Sequence, residues 1–137
     1  MTTADLTSAA SASLAVHLDA AYWTALAAAS KTASLAMAAD DVLARLSVSP
    51  ESIQPGTQAA SLIAHAIAEQ ALYLSRNYAS QASAPAGRVT AAESIDGVSV
   101  SYSQTGSTES IGFSARAELY IARARKALLA SLRLSRG

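Results

Sequence analysis

The sequence predicts a mostly α fold: a small bundle of about four helices with one β-hairpin inserted near residues 88–103. Three observations predict it. Apolar residues recur at helical spacing over 58–78 and again over 115–133. From Leu14 to Ser47 there is neither Gly nor Pro, so nothing in that stretch breaks a helix outright. Asp96-Gly97 separates two short runs, and after it Val98, Val100 and Tyr102 alternate with Ser99, Ser101 and Ser103. That is the period-two pattern of a half-buried strand leaving a tight turn.

Residues 1–12 are Thr, Ala and Ser with one Asp and no strong periodicity, which reads as a mobile or partner-ordered arm. The stretch 14–47 is long for one helix in a small domain. Ser30-Lys31-Thr32 is the expected break, because Ser is a good N-cap, giving helices near 14–29 and 31–46. In the second, Leu35, Val42, Leu46 and the Ala38/Ala39 pair share a stripe, and Asp41 and Arg45 form an i,i+4 pair on the wet face. Residues 47–57 hold two of the three prolines and a glycine and form a loop. The helix at 58–78 has a main stripe of Ala60, Ile63, Ile67, Ala71, Leu74 and Tyr78 and a second strip of Leu62, Ala66 and Tyr73. A helix apolar on two sides packs on more than one neighbour, so this one is central, with a narrow polar edge of His65, Glu69 and Arg76.

Residues 79–87 are a small-residue connector to the hairpin, and 104–110 a flexible polar link after it. Ser114 caps the last helix, whose buried stripe is Ala117, Ile121, Ala124, Leu128 and Leu132. Arg116, Arg123, Lys126 and Arg133 gather within about a third of its circumference, away from that stripe. Arg125 projects close to the stripe, where it either snorkels or pairs with something outside the monomer. A short tail, 134–137, ends at Arg136-Gly137. The 137 residues make one domain.

Composition narrows the function classes. Hydrophobic residues are 51 % of the chain, with alanine about half of that, and aromatics 5 %. Such a core is built from close backbone approach, and each buried Ala removes little area from water, so the isolated monomer is expected to be modestly stable and to gain from burial against other subunits. The absence of cysteine excludes disulfides, thiolate zinc sites and a cysteine nucleophile. The first residues lack the basic start of a secretory signal. No run of eighteen apolar residues is free of polar groups, so no membrane span and no membrane partner are expected. Net charge is zero but divided: residues 1–75 carry six acidic against two basic groups, a net of −4, and residues 76–137 four acidic against eight basic, a net of +4. Two readings stay open, head-to-tail stacking of copies and scattered surface charge.

Candidate chemistry is sparse. His65 and Glu69 have a metal-ligand spacing, but two ligands are too few and His17 is the only other histidine, so the pair reads as a surface hydrogen bond. Asp40 and Asp41 point to different helix faces and read as a helix-end charge run. Tyr22-Trp23 reads as core or subunit contact rather than a binding surface. No Gly-x-Ser-x-Gly elbow, phosphate-binding glycine loop or His-Glu-x-x-His is present. No catalytic, cofactor-binding or metal-ligating residue is therefore assigned, and an enzyme is not expected. The basic last helix lacks a helix-turn-helix turn and interleaved aromatics, so it reads as a solvated face, a contact to an acidic protein or a weak DNA contact. In the hairpin a two-residue turn sets Ile95 opposite Val98, Glu93 opposite Val100 and Ala91 opposite Tyr102 on one side. Glu93 then sits on the apolar face, which calls for a bulge or for a cation from another subunit.

Ala66 to Leu74, AIAEQALYL, then a small-residue linker, then Val89 to Tyr102, VTAAESIDGVSVSY, resemble the head-tail connector (adaptor, or head-completion) proteins of tailed bacteriophages. Their hairpin pattern, Glu-Ser-hydrophobic-Gly-x-Val-Ser-Val-x-Tyr, is met here by Glu93, Ser94, Ile95, Gly97, Val98, Ser99, Val100 and Tyr102. Ala21-Tyr22-Trp23, Lys31 to Leu46 and the closing Leu134 to Gly137 are similar as well. The loop 47–57 lacks the Trp-Pro stretch of many relatives, and the last helix is unusually basic. The resemblance implies a virion protein at the capsid vertex, assembled in the host cytoplasm: a homo-oligomeric ring, usually of twelve copies, under the portal. It would extend the DNA channel without reading DNA sequence and dock the next neck or tail protein. Glu93, Ile95, Asp96, Gly97, Val98, Val100 and Tyr102 would then serve the subunit interface. Arg116, Arg123, Arg125, Lys126, Arg133 and Arg136 are the candidates for meeting the portal or a neighbour. The alternative is a small DNA-binding or DNA-packaging accessory protein that uses the basic last helix.

Overall fold

The computed structural model describes residues 1–83 and 112–136. These form five helices and one 3₁₀ turn: α1 (Thr3–Ala15), α2 (Ala20–Ala25), α3 (Ala28–Leu46), the turn Pro50–Ser52, α4 (Gln58–Ser83) and α5 (Ala115–Arg136). The chain is a helical bundle with α4 at its centre, in contact with α1, α3 and α5. Both apolar strips foreseen on α4 are used. Ala60, Ile63, Ile67, Ala71 and Leu74 are buried, as is Ala66, while Leu62 and Tyr73 pack partly buried against the same core. The hairpin expected at 88–103, with Glu93, Ile95, Asp96, Gly97, Val98, Val100 and Tyr102, lies outside the described residues.

The amino-terminal segment corrects the expectation of a mobile arm. Residues 3–15 are helical, and Leu6, Ala10 and Leu14, spaced by one turn each, are fully buried. Thr2 and Asp5 close a capping box: the Thr2 hydroxyl accepts from the Asp5 N–H at 3.1 Å, and the Asp5 carboxylate accepts from the Thr2 N–H at 2.7 Å. The Thr2 N–H, helped by its hydroxyl, holds the Asp5 carboxyl below its ordinary range. The Met1 amino group donates to Ile53 O at 3.0 Å, tying the start of α1 to the loop before α4.

The single helix expected at 14–29 is also corrected. The chain turns at 16–19, runs one short helix, α2, and turns again at Leu26 before α3. Ser30 is not the break. It lies in the first turn of α3, whose N-cap is Ala27 with no side-chain bond. Burial of Trp23 against the core sets the direction of α2, and Lys31 Nζ donates back to Thr24 O at 3.1 Å, where a cation suits the carbonyl end of a helix. Tertiary packing has overridden the capping signal.

α3 ends as a Schellman-type cap. Ser47 is left-handed (φ 58°), and the Val48 N–H bonds Leu43 O at 3.2 Å. In the loop, Gln54-Pro55-Gly56-Thr57 turns with Gly56 at φ 77°, the value that position of a type II turn requires. Thr57 then caps α4 by accepting from the Ala60 N–H at 3.2 Å. α4 continues to Ser83, so residues 79–83 of the expected connector are helical, and α5 reaches Arg136, so 134–136 are helix rather than tail.

Leu6→Ala is expected to cost about 2–5 kcal/mol, the range for emptying a buried leucine site, read as a lower urea midpoint at unchanged slope. A mobile arm would give no shift.

Candidate interaction surface

Burying α4 on three sides takes two adjacent polar residues, Glu69 and Gln70, out of water. Glu69 is 8 % exposed and Gln70 fully buried, so each must find partners inside the protein. Glu69 Oε1 accepts from His17 Nε2 and from Arg116 Nε, both at 3.0 Å. His17 Nδ1 accepts the Asp19 N–H at 3.0 Å, so the ring proton on Nε2 is the one that faces Glu69. One carboxylate oxygen thus fastens the α1–α2 turn, the centre of α4 and the first turn of α5. Beside it Asp19 pairs with Arg76 at 3.0 Å, and the Arg76 guanidinium lies 4.7 Å over the Tyr22 ring. His17, Asp19, Glu69, Arg76 and Arg116 line an open cleft of about 760 Å³. Glu69 and Asp19 balance Arg116 and Arg76 there, so the cleft is held together by its own charges. The Glu69 hydrogen bond and charge push the Arg116 guanidinium further up, and it stays a cation.

Gln70 fixes the re-entry of the chain. Its Nε2 donates to Gly112 O and, at 3.4 Å, to Asp41, while its Oε1 accepts the Ser114 N–H at 3.0 Å. Ser114 caps α5 by accepting from the Ala117 N–H at 3.0 Å, as its position predicts. Burial pushes the Asp41 carboxyl up; the Gln70 donor opposes this and Asp40 adds to it.

Two expected pairs are not made. His65 and Glu69 do not bond each other: His65 Nδ1 donates to Ser61 O at 2.8 Å and its ring stacks on Tyr120 at 5.3 Å. Asp41 and Arg45 are not a wet-face pair either, because Asp41 turns to Gln70 and Arg45 reaches Glu118 on α5 at 2.8 Å. Arg45 also lies 4.9 Å over the Phe113 ring. Trp23 is buried and Tyr22 packs against the core, in line with the reading of this pair as core.

The cationic candidates divide. Arg116 is engaged with Glu69, and Arg125 donates to Arg45 O at 2.9 Å, on the last turn of α3. The Arg125 partner is thus a backbone carbonyl of its own chain. Arg123, Lys126 and Arg133 are exposed, and Arg136 ends α5. Ser114 against Gln70, Arg116 against Glu69 and Tyr120 against His65 set an antiparallel register between α5 and α4. In that register α4 has run out by Leu128. The buried stripe of α5 accordingly stops there: Leu132, expected in it, is 59 % exposed. The overhanging end carries a cleft of about 520 Å³ lined by Lys126, Leu129, Ala130, Arg133 and Leu134. Leu129 and Leu134 are 55 % and 82 % exposed.

Comparison with protein-family models, with curated proteins and with solved structures gives no match. Among the described residues, no three His, Cys, Asp or Glu side chains gather into a metal-binding group, and no helix is long and apolar enough to cross a membrane.

Glu69→Ala should lower stability by about 1–3 kcal/mol, the cost of stripping buried hydrogen-bond partners. Arg116→Ala should cost clearly less, because that guanidinium is largely in water. Equal losses in chemical denaturation would show that the two act only as a pair. Asp41→Asn tests the raised carboxyl. Ionised Asp41 weakens the fold above its raised folded pKa, and the penalty fades as pH falls toward the ordinary value of 3.8. The variant should therefore be the more stable at pH 7 and equal to wild type near pH 3, followed by thermal melts across that range.

Proposed function

We propose that this chain is a structural adaptor of the head–tail junction of a tailed phage: a subunit of a ring under the portal that extends the DNA channel and receives the next neck or tail protein. In this role it performs no chemistry and takes no cofactor. The observation that carries the reading is the overhanging end of α5, where Leu129 and Leu134 stand exposed beside Lys126 and Arg133. A bundle that ties Glu69, Gln70, Arg45, Arg116 and Arg125 into its own frame leaves this mixed apolar and basic end over for other molecules. The connector-like run at 66–74 and 89–102 supplies the family side of the argument. It assigns Glu93, Ile95, Asp96, Gly97, Val98, Val100 and Tyr102 to contacts between subunits. Of the basic candidates, Arg123, Lys126 and Arg133 are exposed and are not tied to Glu69 or to Arg45 O as Arg116 and Arg125 are, so they are the ones to meet portal or neighbour.

A second reading has its own observation. Arg123, Lys126 and Arg133 fall on one side of α5 and are exposed, an arrangement that phosphates could meet. It makes a small DNA-binding or DNA-packaging accessory protein the alternative.

The purified chain should sediment as a monomer or weak oligomer and be retained by rings of the portal protein encoded beside it. Lys126→Glu with Arg133→Glu should weaken that retention at least tenfold, roughly the effect of reversing two interface charges. No retention at low or moderate salt would sink the adaptor reading. Retardation of duplex DNA that collapses with a log–log salt slope of about −3, as three phosphate contacts give, would favour the alternative.

A further inference from the structure

We infer that copies of this chain bind head to tail, the overhanging end of α5 from one copy seating in the groove beside α3 of the next. The inference deepens the adaptor reading, and rests on it for the ring such contacts would close. The groove, about 480 Å³, is lined by Leu26, Ala29, Ala33, Met37 and Leu74 among others. Ala29, Ala33 and Met37 are exposed along one edge of α3. Small residues there let a second helix approach closely, and the Met side chain, 43 % exposed, adapts to what it meets.

Position explains why one molecule cannot satisfy both surfaces. The overhang leaves the bundle at the start of α4, while the groove lies at Leu74 and Ser75, about 24 Å further along that helix at 1.5 Å per residue. Two complementary surfaces at opposite ends of one molecule make a heterologous contact, which repeats from copy to copy.

Length and charge select a second copy as the occupant. From Leu129 to Arg136 the overhang is about two turns, roughly 10 Å, and Ala29 to Met37 on α3 rises about 12 Å, enough to receive it. No acidic residue follows Glu118 on α5, so Lys126 and Arg133 give the overhang a positive charge. Asp40, one turn beyond Met37, is exposed. Lys31, the nearby cation of α3, is bent back to Thr24 O. The acidic and basic halves of the chain thus meet in trans.

Because the chain has no cysteine, engineered thiols report cleanly. Met37→Cys protein mixed with Leu129→Cys protein under mild oxidation should give the mixed dimer at least tenfold over a Glu51→Cys and Leu129→Cys mixture, a margin in keeping with a specific contact. Leu134→Asp on the Leu129→Cys partner should remove the product while circular dichroism stays that of wild type. A yield equal to the Glu51 control overturns the inference, as does a predominant Leu129→Cys homodimer. So does a Met37→Cys thiol that resists alkylation in the monomer, since the groove would already be filled by its own chain. Portal rings separate the two levels of the argument. Retention on the ring without the 37–129 product there defeats this contact and leaves the adaptor reading standing. The product without retention supports the contact and defeats the adaptor role.

Discussion

α4 has almost no face left for water, and that constraint shapes the rest of the molecule. With α1, α3 and α5 packed around it, the helix can carry polar groups in its middle only if the surrounding elements bring partners. Glu69 and Gln70 are adjacent and so point to different neighbours. Glu69 gathers the α1–α2 turn and the start of α5, and Gln70 gathers α3 and the residues that lead into α5. Two neighbouring side chains thereby fix the relative positions of nearly every element. An unpaired carboxylate or amide at this depth would cost more than most single contacts in the bundle return.

The rest of the interior is built differently. Its large, fully buried side chains are few, with Leu6, Leu14, Val42, Ile53, Ile63 and Ile67 chief among them, and alanines fill the space between. Alanine contributes little area per residue, but it lets helices lie close and costs no side-chain entropy on burial. Adhesion between helices is therefore spread thin, and the polar fastenings at Glu69, Gln70 and the Arg45–Glu118 pair between α3 and α5 set the register that the small apolar contacts leave loose.

What could be read from the chain, and what could not, follows from the same physics. α4, α5 and the loop at 47–57 carry strong periodicity or strong breakers, and both helices start where the pattern puts them and run on past their expected ends. α1 is hidden because its three anchoring positions, Leu6, Ala10 and Leu14, are diluted by Thr, Ser and Ala, and one pair of leucines two turns apart hardly registers against them. The break between α2 and α3 lies at Leu26 and not at Ser30 because burial of Trp23 outweighs one capping hydroxyl. At the candidate surface, exposed Arg123, Lys126 and Arg133 were legible from helical spacing. The partners of Glu69 were not: His17 and Arg116 lie 52 and 47 positions away, whereas spacing along one helix sees only His65. Arg125 is expected from its spacing to snorkel or to pair outside the monomer, but its acceptor is a main-chain carbonyl of α3, and carbonyls leave no mark in a sequence.

The positions of Ser83 and Gly112 have a consequence for how such a protein can evolve. α4 ends at Ser83, while Gly112 is held beside Gln70, roughly 20 Å back along the same helix at 1.5 Å per residue. An extended strand of about six residues would close that distance, yet residues 84–111 stand between the two anchors. Closure alone asks for no more than that minimum, because added length between two fixed ends brings little entropic cost. The span that the chain must cover between these two anchors therefore sets a minimum length there and no maximum.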